Sequence, residues 1–383
     1  MRRIFGLPHL ALTSLALAGA AAPVLAQDEA PAPVAFGEFQ VEPLGPADRI
    51  SVTERNGQQE LTITRTGALL EGVEFSQGVI EFDVAFDERR GFGGLVWHVS
   101  DDNDGEYFYL RKHKSGMPDA GQYTPFRGGL TSWQIFTDAN AIAPFSFTHE
   151  GWNRIKFVIA DDKADIYFNG STEPVLHVPD LASDRGTGRV GFRTSGPFGE
   201  LTIANLTIRP LESGEGIVGT PKQVPPPPSG VIANWNVSER FAEARVDGVI
   251  TLPSDLAAMP AATTLAVEPT GIVDLSRAGR PEEEADTRLV STRIVSDAAK
   301  PVRLNFGYSD RLRLFLNGEL LFDGVAGWRS RDFFFLGTIG FKDAVVLNLR
   351  EGENTLQAAV SETFGGWGFA GAIENGEGLT VHP

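Results

Sequence analysis

The stretch Gly91–Trp133, GFGGLVWHVSDDNDGEYFYLRKHKSGMPDAGQYTPFRGGLTSW, decides how the chain is read. It predicts a strand over Gly93–Val99 that is apolar on both faces, an acidic turn, and a second strand over Glu106–Leu110. On that second strand Tyr107 and Tyr109 share one face, while Phe108 and Leu110 share the other. Arg111 continues the tyrosine face, and His113 continues it if the strand persists. A long polar loop then brings Gln122, Tyr123 and Trp133. Aromatic rings beside planar hydrogen-bonding groups are the chemistry that holds a sugar or another flat polar ligand.

The same texture extends outward. Val79–Phe86 alternates, with Ile80, Phe82, Val84 and Phe86 on one face and Glu81 and Asp83 on the other. Trp152–Val158 and Ala164–Phe168 follow. The latter ends in Asn169-Gly170, the dipeptide of a two-residue hairpin turn, which makes Pro174–Val178 its partner. Gly188–Phe192 and Glu200–Ile208 complete the series. Beyond Pro210, Val302–Gly307 and Arg311–Leu316 alternate strongly, and Asn317-Gly318 repeats the hairpin chemistry. Many short strands with almost no helical periodicity predict an all-β chain of two β-sandwich (jelly-roll) domains.

Segment boundaries follow from composition. Residues 1–26 carry a positive start at Arg2 and Arg3, an apolar run from Leu10 to Ala22 and small residues before Gln27, the pattern of a cleavable signal peptide. The protein is therefore expected in the periplasm or outside the cell. Residues 27–35 read as a disordered lead-in, 36–210 as the first sandwich, and 211–230, with four prolines at 225–228, as a stiff Pro/Gly linker. Residues 231–383 form the second sandwich, with a helix-compatible segment at Pro253–Met259. No later apolar run is long enough to span a membrane. The 383 residues include no cysteine, so disulfides and thiolate metal sites are absent. A formal charge of −17, two units more negative without Arg2 and Arg3, disfavours nucleic acid and anionic lipid as partners.

The series GVIEFDV, GGLVWHV, YFYLR, QY, GWNRIKFVI, ADIYFNG, PVLHV, GRVGF and LTIANLTI resembles the concanavalin A-like, laminin G-like jelly roll. More narrowly it resembles bacterial domains grouped with 3-keto-disaccharide hydrolases and family 16 glycoside hydrolase-like proteins, over roughly Phe36–Pro210. The order FGYSDRLRLFLNGELLF, LNLREGENTL and GGWGF resembles galactose-binding-like sandwiches. The first resemblance implies a sugar-related fold that hosts both lectins and hydrolases. It also implies a Tyr-Phe-x-x-Arg, Gln-Tyr, Trp order like the one seen at Tyr107–Arg111, Gln122 and Trp133.

Candidate chemistry divides accordingly. Tyr107, Tyr109, Arg111, Gln122 and Trp133 are the expected carbohydrate-binding set, and Trp328, Arg329, Arg331 and Trp367 form a second, weaker set. Family 16 enzymes place Glu-x-Asp-x-(x)-Glu on one strand. Here Glu81 and Asp83 open that pattern, but Ala85 or Phe86 stands where the last Glu belongs. A retaining pair needs carboxyls about 5 to 5.5 Å apart. Glu81, Asp83 and His113 are thus the acid/base candidates of a glycoside hydrolase reading, for 3-keto-disaccharides or glucans. Asp102 and Asp104 mimic the start of a calcium loop, with Arg111 where the closing acid is due. His98, His113, His149 and His177 are too scattered to predict a metal triad. The expectation is an exported carbohydrate-binding protein. A hydrolase and a structural envelope protein are the alternatives, and the oligomeric state is left open.

Overall fold

A computed structural model describes residues 32–183, 185–331 and 338–383. The expected signal peptide, residues 1–26, lies outside them, as does the start of the lead-in. The described chain is almost wholly β, and every strand pairing in it is antiparallel. The all-β expectation holds.

In the first half, one sheet orders its strands Val34–Phe36, Phe39–Pro43, Gly67–Phe75, Gly188–Ser195, Phe92–Val99, Gly105–Arg111, Gly121–Arg127 and Leu130–Thr131, with Ile142–Ala143 also on Gly121–Arg127. This is the site sheet. The opposing back sheet runs Leu176–Val178, Lys163–Phe168, Asn153–Ala160, Gly78–Ala85, Glu200–Arg209, Gln58–Thr64 and Ile50–Arg55. Alternation explains how they stack. Ile80, Phe82, Val84 and Phe86 from the back sheet meet Leu95, Trp97, Phe108 and Leu110 from the site sheet in one core. The Phe108 ring stands edge-on to Phe157 at 5.5 Å and Phe82 edge-on to Phe192 at 5.0 Å. Tyr107 and Tyr109 consequently leave the core side and face outward from the site sheet, with Val96 and Phe126. Gly94 is required between them: a Cβ there would collide with the Phe108 carbonyl of the neighbouring strand.

The second half has its own pair of sheets and its own core around Trp235, Phe306, Leu314, Trp367 and Phe369. Both Asn-Gly turns form as read: Asn169 and Gly170 have φ 49° and 75°, and Asn317 and Gly318 have φ 52° and 84°. The helix-compatible segment gives a single turn, Ser254–Ala257.

Two segments differ from the expectation. Val34–Phe36, mostly inside the expected disordered lead-in, is an edge strand paired with Phe39–Pro43. Phe36 reaches the first core, which anchors it. The linker is not a free spacer. The amides of Val218 and Gly219 donate to Asp165 Oδ2 at 2.7 and 2.9 Å, and Asp165 Oδ1 lies 2.7 Å from His177 Nδ1. Lys222 and Asn140 exchange two further hydrogen bonds, and Leu211 and Ile217 pack beside Tyr167. Backbone donors that composition alone leaves to solvent are satisfied by the back sheet and the loop beside it.

The two sandwiches meet along a specific seam. Arg127 Nη1 donates to Asp274 Oδ2 at 2.9 Å, and Ser132 Oγ donates to the same oxygen at 2.8 Å. Gln134 Nε2 donates to Ser309 Oγ at 2.9 Å, while Gln134 Oε1 accepts the Gly366 amide. Ile135 from the first half packs with Ile272, Ile339 and Ala370 from the second. No helix among the described residues is long and apolar enough to cross a membrane.

Candidate functional site: the outer face of the site sheet and the seam beside it

The strand Gly105–Arg111 puts Tyr107, Tyr109 and Arg111 on one face because side chains alternate. The register pairs Tyr109 with Gln122 across the ladder. The Tyr109 hydroxyl donates to Gln122 Oε1 at 2.7 Å. Arg111 Nη2 donates to the Tyr109 oxygen at 3.1 Å and to Gln122 Oε1, and its Nη1 donates to the Asp119 carbonyl at 2.7 Å. Gln122 Nε2 in turn donates to the carbonyls of Trp133 at 2.8 Å and Phe136 at 2.5 Å. The Tyr107 and Tyr109 rings stack at 4.9 Å. The five residues expected to bind are therefore brought together, but four of them are buried, Gln122 completely. Burial pushes both tyrosine hydroxyls above their ordinary range, against the opposing pull of the neighbouring arginines. The Tyr107 hydroxyl donates to the Arg193 carbonyl of the strand Gly188–Ser195 at 3.3 Å, and the polar atoms of Tyr109, Arg111 and Gln122 are spent on one another and on the loop folded over them. They form a floor.

Trp133 is the half-buried member of the set. Around it the seam supplies buried polar groups and two exposed rings. Ser309, which accepts from Gln134 next to Trp133, precedes Asp310. Asp310 Oδ2 accepts the Thr363 hydroxyl at 2.7 Å and the amides of Thr363 and Phe364 at 3.1 and 3.3 Å. The Phe364 ring itself is 62% exposed. Gly327 packs so closely on the Asp310 carboxylate that a Cβ would stand 3.1 Å from Oδ1. Beside it Trp328, 39% exposed, reaches back to the first sandwich, where the Arg90 guanidinium lies 4.9 Å from its ring. Arg329 covers the same indole at 4.2 Å. Glu362, at the same seam, is buried with no hydrogen-bond partner on Oε2. Burial first, and then the Asp310 charge, hold its carboxyl well above the usual carboxylate range.

The remaining sequence candidates fall elsewhere. Glu81 and Asp83 point outward from the back sheet, with the whole core between them and Tyr109; packed sheets lie about 10 Å apart. Both are tied to Arg154, at 2.8 and 3.2 Å, and Asp83 also accepts from Asn205 at 2.6 Å. They do not converge on the tyrosine face. His113 does not continue that face either, because the strand stops at Arg111. It sits exposed, edge-on to Phe92 at 5.8 Å, and lost solvation followed by the charges of Arg90, Lys114 and Arg111 lowers its proton affinity. The acids of the acidic turn are held or exposed separately. Asp104 accepts the Gly128 amide at 2.6 Å and Arg185 at 2.8 Å, while the Asp102 side chain is 85% exposed. Among the described residues no three or more His, Asp or Glu side chains group as a metal site. In the second set, Trp367 is a core residue that donates to the Val360 carbonyl at 3.0 Å, and Arg331 pairs with Asp343 at 2.8 Å. Trp328 and Arg329 remain at the surface. Periodicity could not find Arg90, which sits in a turn between strands.

No protein-family model matches the chain, and no curated protein matches it. Among solved structures it is similar to the carbohydrate binding module CBM66 from Bacillus subtilis, at 14% identity over 44% of this chain and 94% of that one, with a TM-score of 0.33. A protein of unknown function with a galectin-like fold, also from Bacillus subtilis, is 13% identical over 47% of this chain and 99% of that one, TM-score 0.33. Bacillus licheniformis beta-glucanase is 7% identical over 48% and 100%, TM-score 0.34. Each likeness is confined to just under half of the chain, and the fold described above rests on its own strand order.

Proposed function

We propose that this chain binds carbohydrate at the seam beside the site sheet, with Trp133 and Trp328 as the aromatic surfaces. The observation that carries the reading is the pairing of exposed indole with a buried, internally bonded floor of Tyr107, Tyr109, Arg111 and Gln122. Sugars present an apolar C–H face, which suits an exposed indole, and a polar edge, which suits unspent donors at the rim beside it. The bonded floor holds Trp133 from below through its carbonyl, so little ordering is needed on binding. The sequence resemblance to 3-keto-disaccharide hydrolase and family 16 domains agrees with a sugar ligand. Hydrolysis is not part of the proposal, because Glu81 and Asp83 lie on the opposite sheet and His113 has no carboxylate hydrogen-bonded to it. The character of residues 1–26 supports action in the periplasm or outside the cell.

Calorimetric titration of the full chain against a broad glycan panel tests this. At least one glycan class should bind, and Trp328→Ala should weaken it at least tenfold without loss of fold. Flat titrations across the panel with folded protein would overturn it.

A further inference from the structure

Around Trp328 the seam gathers cations, against the net charge of the chain as a whole. The protein has 50 acidic and 33 basic residues, and many of its half-buried arginines have a carboxylate partner. Arg154, Arg209, Arg311, Arg313 and Arg331 all have one. Arg90 and Arg329 make no ion pair and no side-chain hydrogen bond among the described residues. Both guanidiniums instead lie against one exposed ring, that of Trp328, one from each sandwich. A guanidinium stacked on an indole keeps its N–H edge free, and that edge matches a carboxylate or another oxyanion in a two-pronged fashion. Exposed His113 adds a further donor whose neighbours, Arg90 and Lys114, are cationic. The backbone at Arg329 is left-handed, φ 66°, which turns this residue back onto the ring beside it.

We infer that the ligand is an acidic glycan, a uronate-bearing polysaccharide whose carboxylates are read by Arg90 and Arg329 while its sugar face lies on Trp328. This rests on the carbohydrate reading and narrows it. The physical requirement is local: an anionic polymer approaching so acidic a protein is repelled at range, and only a patch of unpaired cations can offset that at contact. The two arginines come from different sandwiches, so the seam contacts fix their spacing and the site exists only in the assembled chain.

The test uses oligomers of galacturonate, mannuronate and glucuronate, each paired with its methyl ester, which keeps the sugar and removes the charge. Titrated into the full chain, at least one acid should bind ten times more tightly than its ester. Arg90→Gln combined with Arg329→Gln should abolish that preference, flatten its salt dependence and leave the melting temperature unchanged. Trp328→Ala should weaken acid and ester alike. If neutral glycans bind and no acid exceeds its ester, the inference is overturned and the carbohydrate reading stands. It is equally overturned if the double arginine variant keeps the acid preference. If no glycan binds, charged or neutral, both fall together.

Discussion

The floor of the site sheet and the rim at the seam both set arginine against aromatic rings and behave oppositely. In the floor, Tyr109, Arg111 and Gln122 use their donors and acceptors on one another and on loop carbonyls, and solvent does not reach Gln122. At the rim, Trp328 and Phe364 are exposed, and Arg90 and Arg329 meet a ring in place of a carboxylate. A ligand competes poorly for a group already bonded in the dry interior, because it must replace every bond it breaks. The comparison teaches that residue type nominates a site, while unspent hydrogen-bonding capacity with solvent access selects it.

The strongest way to break the comparison is to cut the contact that sets the rim in place. Asp274→Ala removes the buried carboxylate that accepts from Arg127, Ser132 and Ser276 across the seam. It should cost on the order of 3 to 5 kcal/mol and split the denaturant transition into two, read by urea unfolding. Next, Gln122→Ala strips partners from Tyr109, Arg111 and two carbonyls; the expected loss is about 3 kcal/mol. Glycan affinity per folded molecule should hold within about twofold, and a tenfold loss would make the floor part of the binding surface.

Glu362 sharpens the contrast through pH. Its folded-state proton affinity is raised by burial, so the stability it contributes is complete below the unfolded value near 4.5 and is lost as pH rises through the folded value. The melting temperature should therefore fall as pH rises above the unfolded value, and Glu362→Gln should reduce that slope; an unchanged slope would place the ionisation elsewhere. The smallest effect is expected on the back sheet. Arg154→Gln removes partly exposed pairs with Glu81 and Asp83, for about 0.5 to 1 kcal/mol, and Glu81→Gln with Asp83→Asn should leave glycan binding untouched.

Much of the fold was legible because it depends on local rules. Alternation assigned Phe82 and Phe108 to the core and Tyr107 and Tyr109 outward, and the Asn-Gly pairs supplied hairpins whose positive φ those residues tolerate. The partners of Asp104 and of the pair Glu81–Asp83 were not legible, because composition cannot show that Arg185 and Arg154 arrive from elsewhere in the chain. The linker misled for the same reason, since Asp165 and Asn140 come from elsewhere in the chain.

By itself, then, the sequence determined the all-β class, the facing of the tyrosine strand and the grouping of Tyr107, Tyr109, Arg111 and Gln122 on one surface, since period-two geometry is written residue by residue. Tertiary structure alone decided which of those groups are spent and which are free. It closed a loop over Gln122, turned Trp367 into the core and carried Trp328 from the second sandwich to within 4.9 Å of Arg90 in the first. Burial and pairing depend on partners far apart along the chain, and only the packed seam brings them into contact.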